Sequence, residues 1–453
     1  MSGVFGNPRT TGSILIANLP EPDWPVYSWT KDGANAAFNR WEAVENQSVT
    51  TITVPSPWDP VRAGTVGMDG CGYLGLVLGL DGKMYSAPWE ESDNILVIDP
   101  VANTATGVSF GVTQARYGLI YNSNNYLTGA VAPNGKIYFP PFNTGNGVLV
   151  IDPATQTSYN IPQSYTQQHY GTAILGSNGL IYCIGRQDCL IIDPRNDTLY
   201  TTTFGGVIPT YNTSTPAIGG RWMSAVKCLA DDKLYFAPRS ADYLIVIDTS
   251  VGFYGTAERR NFNSYAMSIG QQYNGIANYQ DGKLILTPNG STSPAIQPPN
   301  GQRYWTVIDP LANSSIDINI SAISSPNVGI SSWGATSGDD GGVYSAPFTG
   351  TAANATINYI YTRNGANILS SNFNLSFSPM PLDPEWYGGC MAPNGKIYSL
   401  PHMRYYGPSD PTHNNIYAKA ILVLEPGGNA IESIGEQNFR TLIDTSYFNK
   451  GGS

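Results

Sequence analysis

Short apolar stretches separated by turn signals run along most of this chain. Residues 129–132 are small and apolar, and a Pro-Asn-Gly turn follows, since Asn and Gly accept the positive φ that two-residue hairpin turns require. Residues 136–141 alternate and are expected to pair back, and residues 148–152 indicate a buried β-branched strand. An Asp-Pro turn then precedes a weaker strand at 157–161. The pattern predicts a four-stranded antiparallel meander.

This unit occurs seven times. Its turn positions are Gly82, Gly135, Gly179, Asp232, Gly282, Gly342 and Gly395, which lie 44 to 60 residues apart. A companion phrase of the type LVIDP follows most copies; the sixth copy lacks it, and the seventh has Glu425 in place of the Asp. One such sheet cannot bury both of its faces, but seven sheets packed around an axis can. The sequence predicts an all-β, seven-bladed β-propeller of four-stranded antiparallel blades, with an open solenoid as the alternative.

Ring closure is expected to use the N-terminal part of the chain. Residues 48–55 form a strand pattern before the first blade, and we expect them to close the ring beside residues 430–435. A helical pattern is found at 35–46. The expected organisation is an extended N-terminal arm for attachment at 1–47, the propeller at 48–435 and a C-terminal tail at 436–453.

The sixth copy is expected to form a complete blade although it lacks the Asp-Pro turn. Residues 357–362 alternate and predict the third strand, an Asn-Gly pair supplies the turn, and residues 366–373 predict the fourth strand. The alternation should place Tyr359 and Tyr361 on one side of the strand and Ile360 on the other.

Composition and charge exclude several function classes. The chain has 453 residues, 41% of them apolar and 12% charged, with 49 Gly and 33 Pro, which is typical of a turn-rich all-β protein. The net charge of −10, with no basic stripe, argues against nucleic-acid binding. No apolar stretch is long enough for membrane insertion, and the N-terminus lacks a signal-peptide pattern. The five cysteines form no regular framework, so buried thiols are expected, including Cys183 and Cys189, which flank a short hairpin.

Two resemblances to known proteins add expectations. The phrases APNGKIY and VLVIDP resemble the repeats of kelch-like and related seven-bladed propeller proteins over residues 74–435, although the kelch double-Gly pattern is not kept. This resemblance implies the architecture, while propellers host many functions. The ending IDTSYFNKGGS and the Pro-rich lead-in resemble bacteriophage structural and tail proteins, which implies a place in a virion.

The two ends of the predicted ring differ. The regular Asn-Gly and Asp-Pro turns share one end, whereas long, irregular loops between strands two and three and between blades share the other. Irregular loops on a rigid scaffold are where binding usually resides, and aromatic residues and Arg anchor interfaces. The candidate binding residues of this end are Trp222, Arg303, Tyr304, Trp305, Arg404, Tyr405 and Tyr406.

The favoured function is that of a non-enzymatic virion structural protein, associated with a phage tail or capsid. The arm of residues 1–47 would contact other virion proteins, and the variable loops would bind a neighbouring protein or a host-surface glycan. One alternative is a cellular, cytoplasmic lectin or adaptor propeller. The other is a lyase or lactonase, which would need metal ligands converging from several blades. The inner strands show no acidic or His ring, so no catalytic residue, metal or cofactor is predicted.

Overall fold

The computed structural model of the chain describes the following residues: 48–53, 73–88, 94–111, 126–142, 147–163, 169–208, 222–239, 241–268, 273–279, 282–288, 304–319, 334–338, 342–345, 356–363, 366–374, 385–402 and 420–425. The expected arm at 1–47, its helical pattern at 35–46 and the tail at 436–453 lie outside these ranges. So do residues 430–435.

The described strands form seven four-stranded antiparallel sheets, which we number as blades 1 to 7. Blade 1 contains β2 (Val77–Leu78), β3 (Met84–Ser86), β4 (Ile95–Asp99) and β5 (Thr104–Val108). Blade 2 contains β6 (Ala130–Val131), β7 (Ile137–Phe139), β8 (Val148–Asp152) and β9 (Thr157–Ile161). Blade 3 contains β10 (Ile174–Leu175), β11 (Ile181–Ile184), β12 (Cys189–Asp193) and β13 (Thr198–Thr202). Blade 4 contains β14 (Trp222–Lys227), β15 (Leu234–Pro238), β16 (Leu244–Asp248) and β17 (Thr256–Arg260).

The remaining blades follow the same order. Blade 5 contains β18 (Tyr273–Asn278), β19 (Leu284–Pro288), β20 (Tyr304–Asp309) and β21 (Ser314–Asn319). Blade 6 contains β22 (Thr336–Ser337), β23 (Val343–Ser345), β24 (Thr356–Arg363) and β25 (Ala366–Asn374). Blade 7 contains β26 (Glu385–Met391), β27 (Ile397–His402), β28 (Ala420–Glu425) and β1 (Ser48–Thr53). A single-turn helix, α1 (Tyr265–Ser268), connects blades 4 and 5.

The blades close into a ring. The innermost strand of each blade contacts that of the next, from β2 through β6, β10, β14, β18, β22 and β26, and β26 contacts β2 again. Apolar side chains fill the spaces between blades; one cluster joins Tyr85 and Val97 of blade 1 to Ile137 and Phe139 of blade 2. Burial on both faces of each sheet therefore requires the neighbouring blades. The predicted all-β propeller of four-stranded antiparallel blades is confirmed.

The Asn-Gly turns are three-residue loops and not the two-residue hairpins that the sequence suggested. In blade 2, Ala132 N–H donates to the Lys136 carbonyl at 2.8 Å, and Gly135 N–H donates to the Ala132 carbonyl at 2.9 Å. Gly135 has a φ of 82°, while Asn134 stays outside the positive-φ region. This is the three-residue hairpin type, in which the last loop residue alone needs the left-handed conformation. Glycine suits that position, and in blade 4 Asp232 adopts the left-handed conformation instead, with a φ of 62°. Asn134 does not supply the positive φ, and its side chain has a different role.

The turn asparagines link neighbouring blades. Asn134 Nδ2 donates to the carbonyl of Pro194, in the Asp-Pro turn of blade 3, at 2.9 Å. The equivalent bonds run from Asn178 to Phe253 in blade 4 at 3.1 Å and from Asn394 to Pro100 in blade 1 at 3.0 Å. The two recurring phrases of the sequence therefore meet between blades, and the bond from Asn394 joins the last blade to the first.

The predicted role of the Asp-Pro turns is confirmed. In blade 1, Asp99 Oδ1 accepts from the amides of Val101 and Ala102, each at 3.0 Å, and Asp99 Oδ2 lies 3.5 Å from Lys83 Nζ. The Ala102 amide has the largest effect and lowers the pKa of Asp99 below its ordinary value, against the opposing effect of burial. Equivalent amide contacts are made by Asp152, Asp193, Asp248 and Asp309.

Residues 48–53 close the ring, and their partner among the described residues is β28. Strand β1 pairs antiparallel with β28, with Ser48 opposite Glu425 and Thr53 opposite Ala420. Strand β28 (AILVLE) is the buried, β-branched third strand of blade 7, and its outer edge would otherwise stay unpaired. The N-terminal strand occupies that edge, while residues 430–435 lie outside the described residues.

The sixth blade contains four strands, as the sequence suggested. Strands β24 and β25 pair antiparallel, with Arg363 opposite Ala366 and an irregularity in register between Ile357 and Tyr359. The side chains of Tyr359, Ile360 and Tyr361 lie outside the described part of the structure, so their directions stay a prediction.

The thiols of Cys183 and Cys189 are free and fully buried, which confirms the prediction of buried thiols at these two positions. No helix of the described residues is long and apolar enough to cross a membrane.

Candidate functional site

The ring has two chemically different ends. We call the end with the Asn-Gly and Asp-Pro turns the turn end, and the end where the innermost strands begin the loop end. Strand ends at the loop end are joined by long stretches of sequence, including 209–221 and 403–419, which fall outside the described residues. The turn end is regular and carries exposed apolar residues, with Val101 93% and Leu311 72% exposed. The predicted division between a regular and an irregular end agrees with the described topology.

Three of the predicted binding residues belong to strands and not to loops, which corrects their sequence-based placement. Trp222 begins β14 and Tyr304 and Trp305 begin β20. Trp222 is 0% exposed, Trp305 1% and Tyr304 8%, so their rings pack in the interior. Trp305 lies in the cluster between blades 5 and 6. Arg303, Arg404, Tyr405 and Tyr406 lie outside the described residues, and their role stays a prediction.

Trp222 occupies a repeated scaffold position. In six copies an aromatic residue stands nine residues before the turn glycine, and in blade 4 Trp222 stands ten residues before Asp232. Several of these residues pair with the proline that ends the second strand, as Trp222 does with Pro238. The described aromatic residues of this set are all buried: Tyr73, Tyr126, Tyr170, Trp222, Tyr273 and Trp386. Each ring fills the space beneath the loop end of its blade, which explains why Trp222 is unavailable to a ligand.

A cluster of apolar side chains lies at the axis of the loop end. It contains Leu74 of blade 1, Leu127 and Phe142 of blade 2, Met223 of blade 4 and Tyr387 of blade 7. Blade 4 adjoins neither blade 1 nor blade 7, so the cluster spans the centre of the ring. We call it the axial cluster. It gives the loop end a packed apolar floor.

A glycine allows blades 3 and 4 to approach closely beside the axial cluster. Gly171 precedes β10 and faces blade 4, and a Cβ at this position would lie 2.6 Å from Met223 Sδ and 3.1 Å from the Trp222 carbonyl. A side chain at Gly171 would displace Met223 from the axis. The small residue therefore positions the floor of the loop end.

His169 lies beside the axial cluster. Its ring contacts Phe142 edge-on, with 5.0 Å between the ring centroids, and its φ of 50° is left-handed. Burial, together with the positive charge of Arg186, lowers the pKa of His169 to about 4. Its Nδ1 has no hydrogen-bond partner among the described residues. The imidazole is therefore neutral at physiological pH, and such a low pKa makes it a poor general base near pH 7.

Two arginines reach the same end from the loops after the second strands. Arg186 follows β11, and its charge acts on His169. Arg239 follows β15; burial lowers its pKa, and the Tyr387 hydroxyl opposes this shift. The axis of the loop end thus combines an apolar floor with two guanidinium groups. That combination suits contact with anionic or aromatic groups of a partner.

The sequence carries a signal for this set that the candidate binding residues did not include. Phe142, Arg186 and Arg239 each stand seven residues after the turn position of their copy. A fixed offset after the second strand brings them to one end of the ring. Reading each loop separately concealed this relation, because their chemical types differ.

The described residues contain no group of three or more His, Cys, Asp or Glu side chains arranged to hold a metal ion. Within these residues, the loop end combines the apolar axial cluster with the guanidinium groups of Arg186 and Arg239.

The first and last described residues of the chain lie at the turn end of blade 7. Ser48 is opposite Glu425, and Glu425 takes the place of the turn Asp, with its Oε2 3.6 Å from Lys396 Nζ. The two points are therefore adjacent. They lie at the end opposite the variable loops.

No protein-family model matches this sequence, and no curated protein sequence is similar to it. Solved structures with a similar fold include a streptogramin B lyase, with a TM-score of 0.52, 15% identity and coverage of 84% of this chain and 97% of the other. Virginiamycin B lyase from Staphylococcus aureus has a TM-score of 0.53 at 14% identity, covering 84% and 100%. The extracellular domain of a putative hybrid two-component system from B. thetaiotaomicron has a TM-score of 0.50 at 10% identity, covering 84% and 40%. At these identities the likeness shows the β-propeller fold alone.

Proposed function

We propose that this chain is a non-enzymatic structural protein of a virus particle. Residues 1–47 attach it to other virion proteins, and the loop end faces away from the attachment and contacts a neighbouring protein or a host-surface glycan. The observation that carries this proposal is that the two ends of the ring differ. Ser48 and Glu425, the first and last described residues, both lie at the turn end, opposite the variable loops.

Two further observations support a binding role over catalysis. The axial cluster fills the centre of the loop end with apolar side chains from four blades, where a central substrate pocket would otherwise form. His169 is held neutral with a pKa of about 4.

The resemblance of the chain's ending to phage structural proteins supports the virion setting. The likeness to lyases concerns the fold, and a lyase activity is not proposed.

The loop-end residues proposed to contact the partner are Arg303, Arg404, Tyr405 and Tyr406. Arginine and tyrosine are the side chains that anchor interfaces most often. Trp222, Tyr304 and Trp305 are left out of this set because they are buried.

Attachment is tested by deleting residues 1–47 and measuring incorporation into particles assembled with the remaining structural proteins. The truncated chain retains β1, so it should fold and melt like the full chain but be absent from purified particles. A matched variant, Arg404→Ala with Tyr405→Ala and Tyr406→Ala, should enter particles normally and lose binding to the host surface. Normal incorporation of the truncated chain would refute the proposed attachment.

A further inference from the structure

A polar groove lies on the rim of blade 4, near blade 5. It has a volume of about 360 Å³, within the range of small-molecule sites. Arg259 and Asn261 line it from the end of β17, Asp242 and Tyr243 from the loop before β16, and Asn313 from a turn of blade 5. We call it the rim groove. It is separate from the axial cluster and from the points where the chain enters and leaves the ring.

Arg259 is held in one orientation within the rim groove. Its Nε donates to the Val207 carbonyl at 2.7 Å, and its Nη2 donates to the Gly206 carbonyl at 2.8 Å. The guanidinium also lies over the Tyr243 ring, 4.8 Å from the ring centroid. These contacts use one edge of the planar group. The remaining N–H groups form the fork that binds a carboxylate with two hydrogen bonds.

Within the described part of the chain, no ion pair balances the charge of Arg259. Its neighbour Arg260 pairs with Glu258, but no carboxylate of the described residues lies within 4.0 Å of the Arg259 guanidinium. The two groups that fix Arg259 are neutral carbonyls. A preoriented cation without a paired acid favours an anionic ligand group at this position.

The other polar side chains of the groove suit hydroxyl groups. Asp242, Asn261 and Asn313 are exposed and present carboxylate and amide groups that accept or donate hydrogen bonds. We propose that the rim groove binds an acidic sugar, whose carboxylate pairs with Arg259 and whose hydroxyls bond to Asn261 and Asn313. This site does not depend on attachment to a particle.

The proposal is tested by titrating the full chain with N-acetylneuraminic acid and with glucuronic acid, followed by NMR of the ligand. Glucose and acetate serve as neutral-sugar and simple-carboxylate controls. Saturable binding of at least one acidic sugar is expected, with glucose and acetate at least tenfold weaker. Arg259→Ala should weaken acidic-sugar binding about tenfold or more, and Arg259→Lys should weaken it as well, because Lys keeps the charge but loses the planar fork.

Two further variants distinguish the ligand class. Asp242→Asn should tighten binding of an acidic sugar several-fold, because it removes a negative charge close to the ligand carboxylate. Lys83→Ala removes an exposed cation at the turn end and should change nothing. Circular dichroism checks that each variant is folded. No saturable binding of either acidic sugar would overturn the proposal, as would binding that Arg259→Lys leaves intact, equal binding of glucose, or weaker binding after Asp242→Asn.

Discussion

The bond that joins the last blade to the first can be tested at Asn394. Its Nδ2 donates to the Pro100 carbonyl at 3.0 Å and to the Tyr398 hydroxyl at 3.3 Å, and its Oδ1 accepts from the Lys396 amide at 3.0 Å. Asn394→Ala removes all three bonds. At a net contribution of about 1 kcal/mol each, the loss should be about 2–3 kcal/mol in the free energy of unfolding.

This loss converts into a measurable shift. With an unfolding entropy of about 2 cal/mol/K per residue, a ring of roughly 390 residues should melt about 3 °C lower in differential scanning calorimetry. Asn134→Ala is the matched control, because Asn134 makes the same three contacts at 2.9, 3.2 and 3.0 Å between blades 2 and 3.

The two variants should differ in where the ring loosens. Amide hydrogen exchange should rise in β1, β2 and β28 for Asn394→Ala, because its bond joins segments 294 residues apart in sequence. For Asn134→Ala the rise should be confined to blades 2 and 3. An unchanged melting temperature for Asn394→Ala, or the same exchange pattern in both variants, would refute the role of this bond in ring closure.

Three other perturbations test separate parts of the structure. Trp222→Ala should lower the free energy of unfolding in urea by about 3–5 kcal/mol. Trp222→Phe should lower it much less, since the buried indole Nε1 has no hydrogen-bond partner among the described residues. An unchanged free energy of unfolding for Trp222→Ala would contradict the scaffold role. Stability should fall as pH drops from 6.5 towards 4, because His169 binds a proton in the unfolded chain but, with a pKa of about 4, not in the folded chain. His169→Asn, which tolerates the left-handed φ, should show a smaller fall in melting temperature over this window. An equal fall in both proteins would contradict this role of His169. Deleting residues 1–53 should expose the edge of β28 and cause dimerisation or aggregation, measured by light scattering. Deleting residues 1–47 should not have this effect. Equal light scattering from the two truncated chains would count against ring closure by β1.

The architecture could be read from the sequence because each blade repeats strong local signals. Gly135 marks its turn through a backbone conformation that few other residues adopt, and Asp152 marks the next through a side chain that bonds to nearby amides. The strand between them is β-branched and buried. These signals act within a few residues, so their meaning does not depend on the rest of the fold.

Features that depend on contacts between blades were missed. Asn134 was interpreted as a turn residue, although its bond to Pro194 spans 60 residues. The pairing of residues 48–53 with β28 was not predicted for the same reason, since it depends on which edge the ring leaves open.

The candidate site was the least predictable part. Trp222 lies at the end of a long irregular stretch, which suggested exposure, whereas its position relative to the turn determines burial. Arg259 carried no signal of its own, because the rim groove depends on the loops that orient its guanidinium. The kelch-like repeat style and the virion setting stay predictions.

The central claim, that the turn end faces the attachment and the loop end faces outward, can be measured by thiol labelling of assembled particles. In a Cys71→Ser background, Val101→Cys reports the turn end and Tyr265→Cys reports the loop end; the native residues are 93% and 54% exposed. Both variants should react with a maleimide in the free protein. In particles, the account predicts that labelling at position 265 persists and labelling at position 101 is lost. The reverse pattern, or equal labelling at both positions, would contradict it.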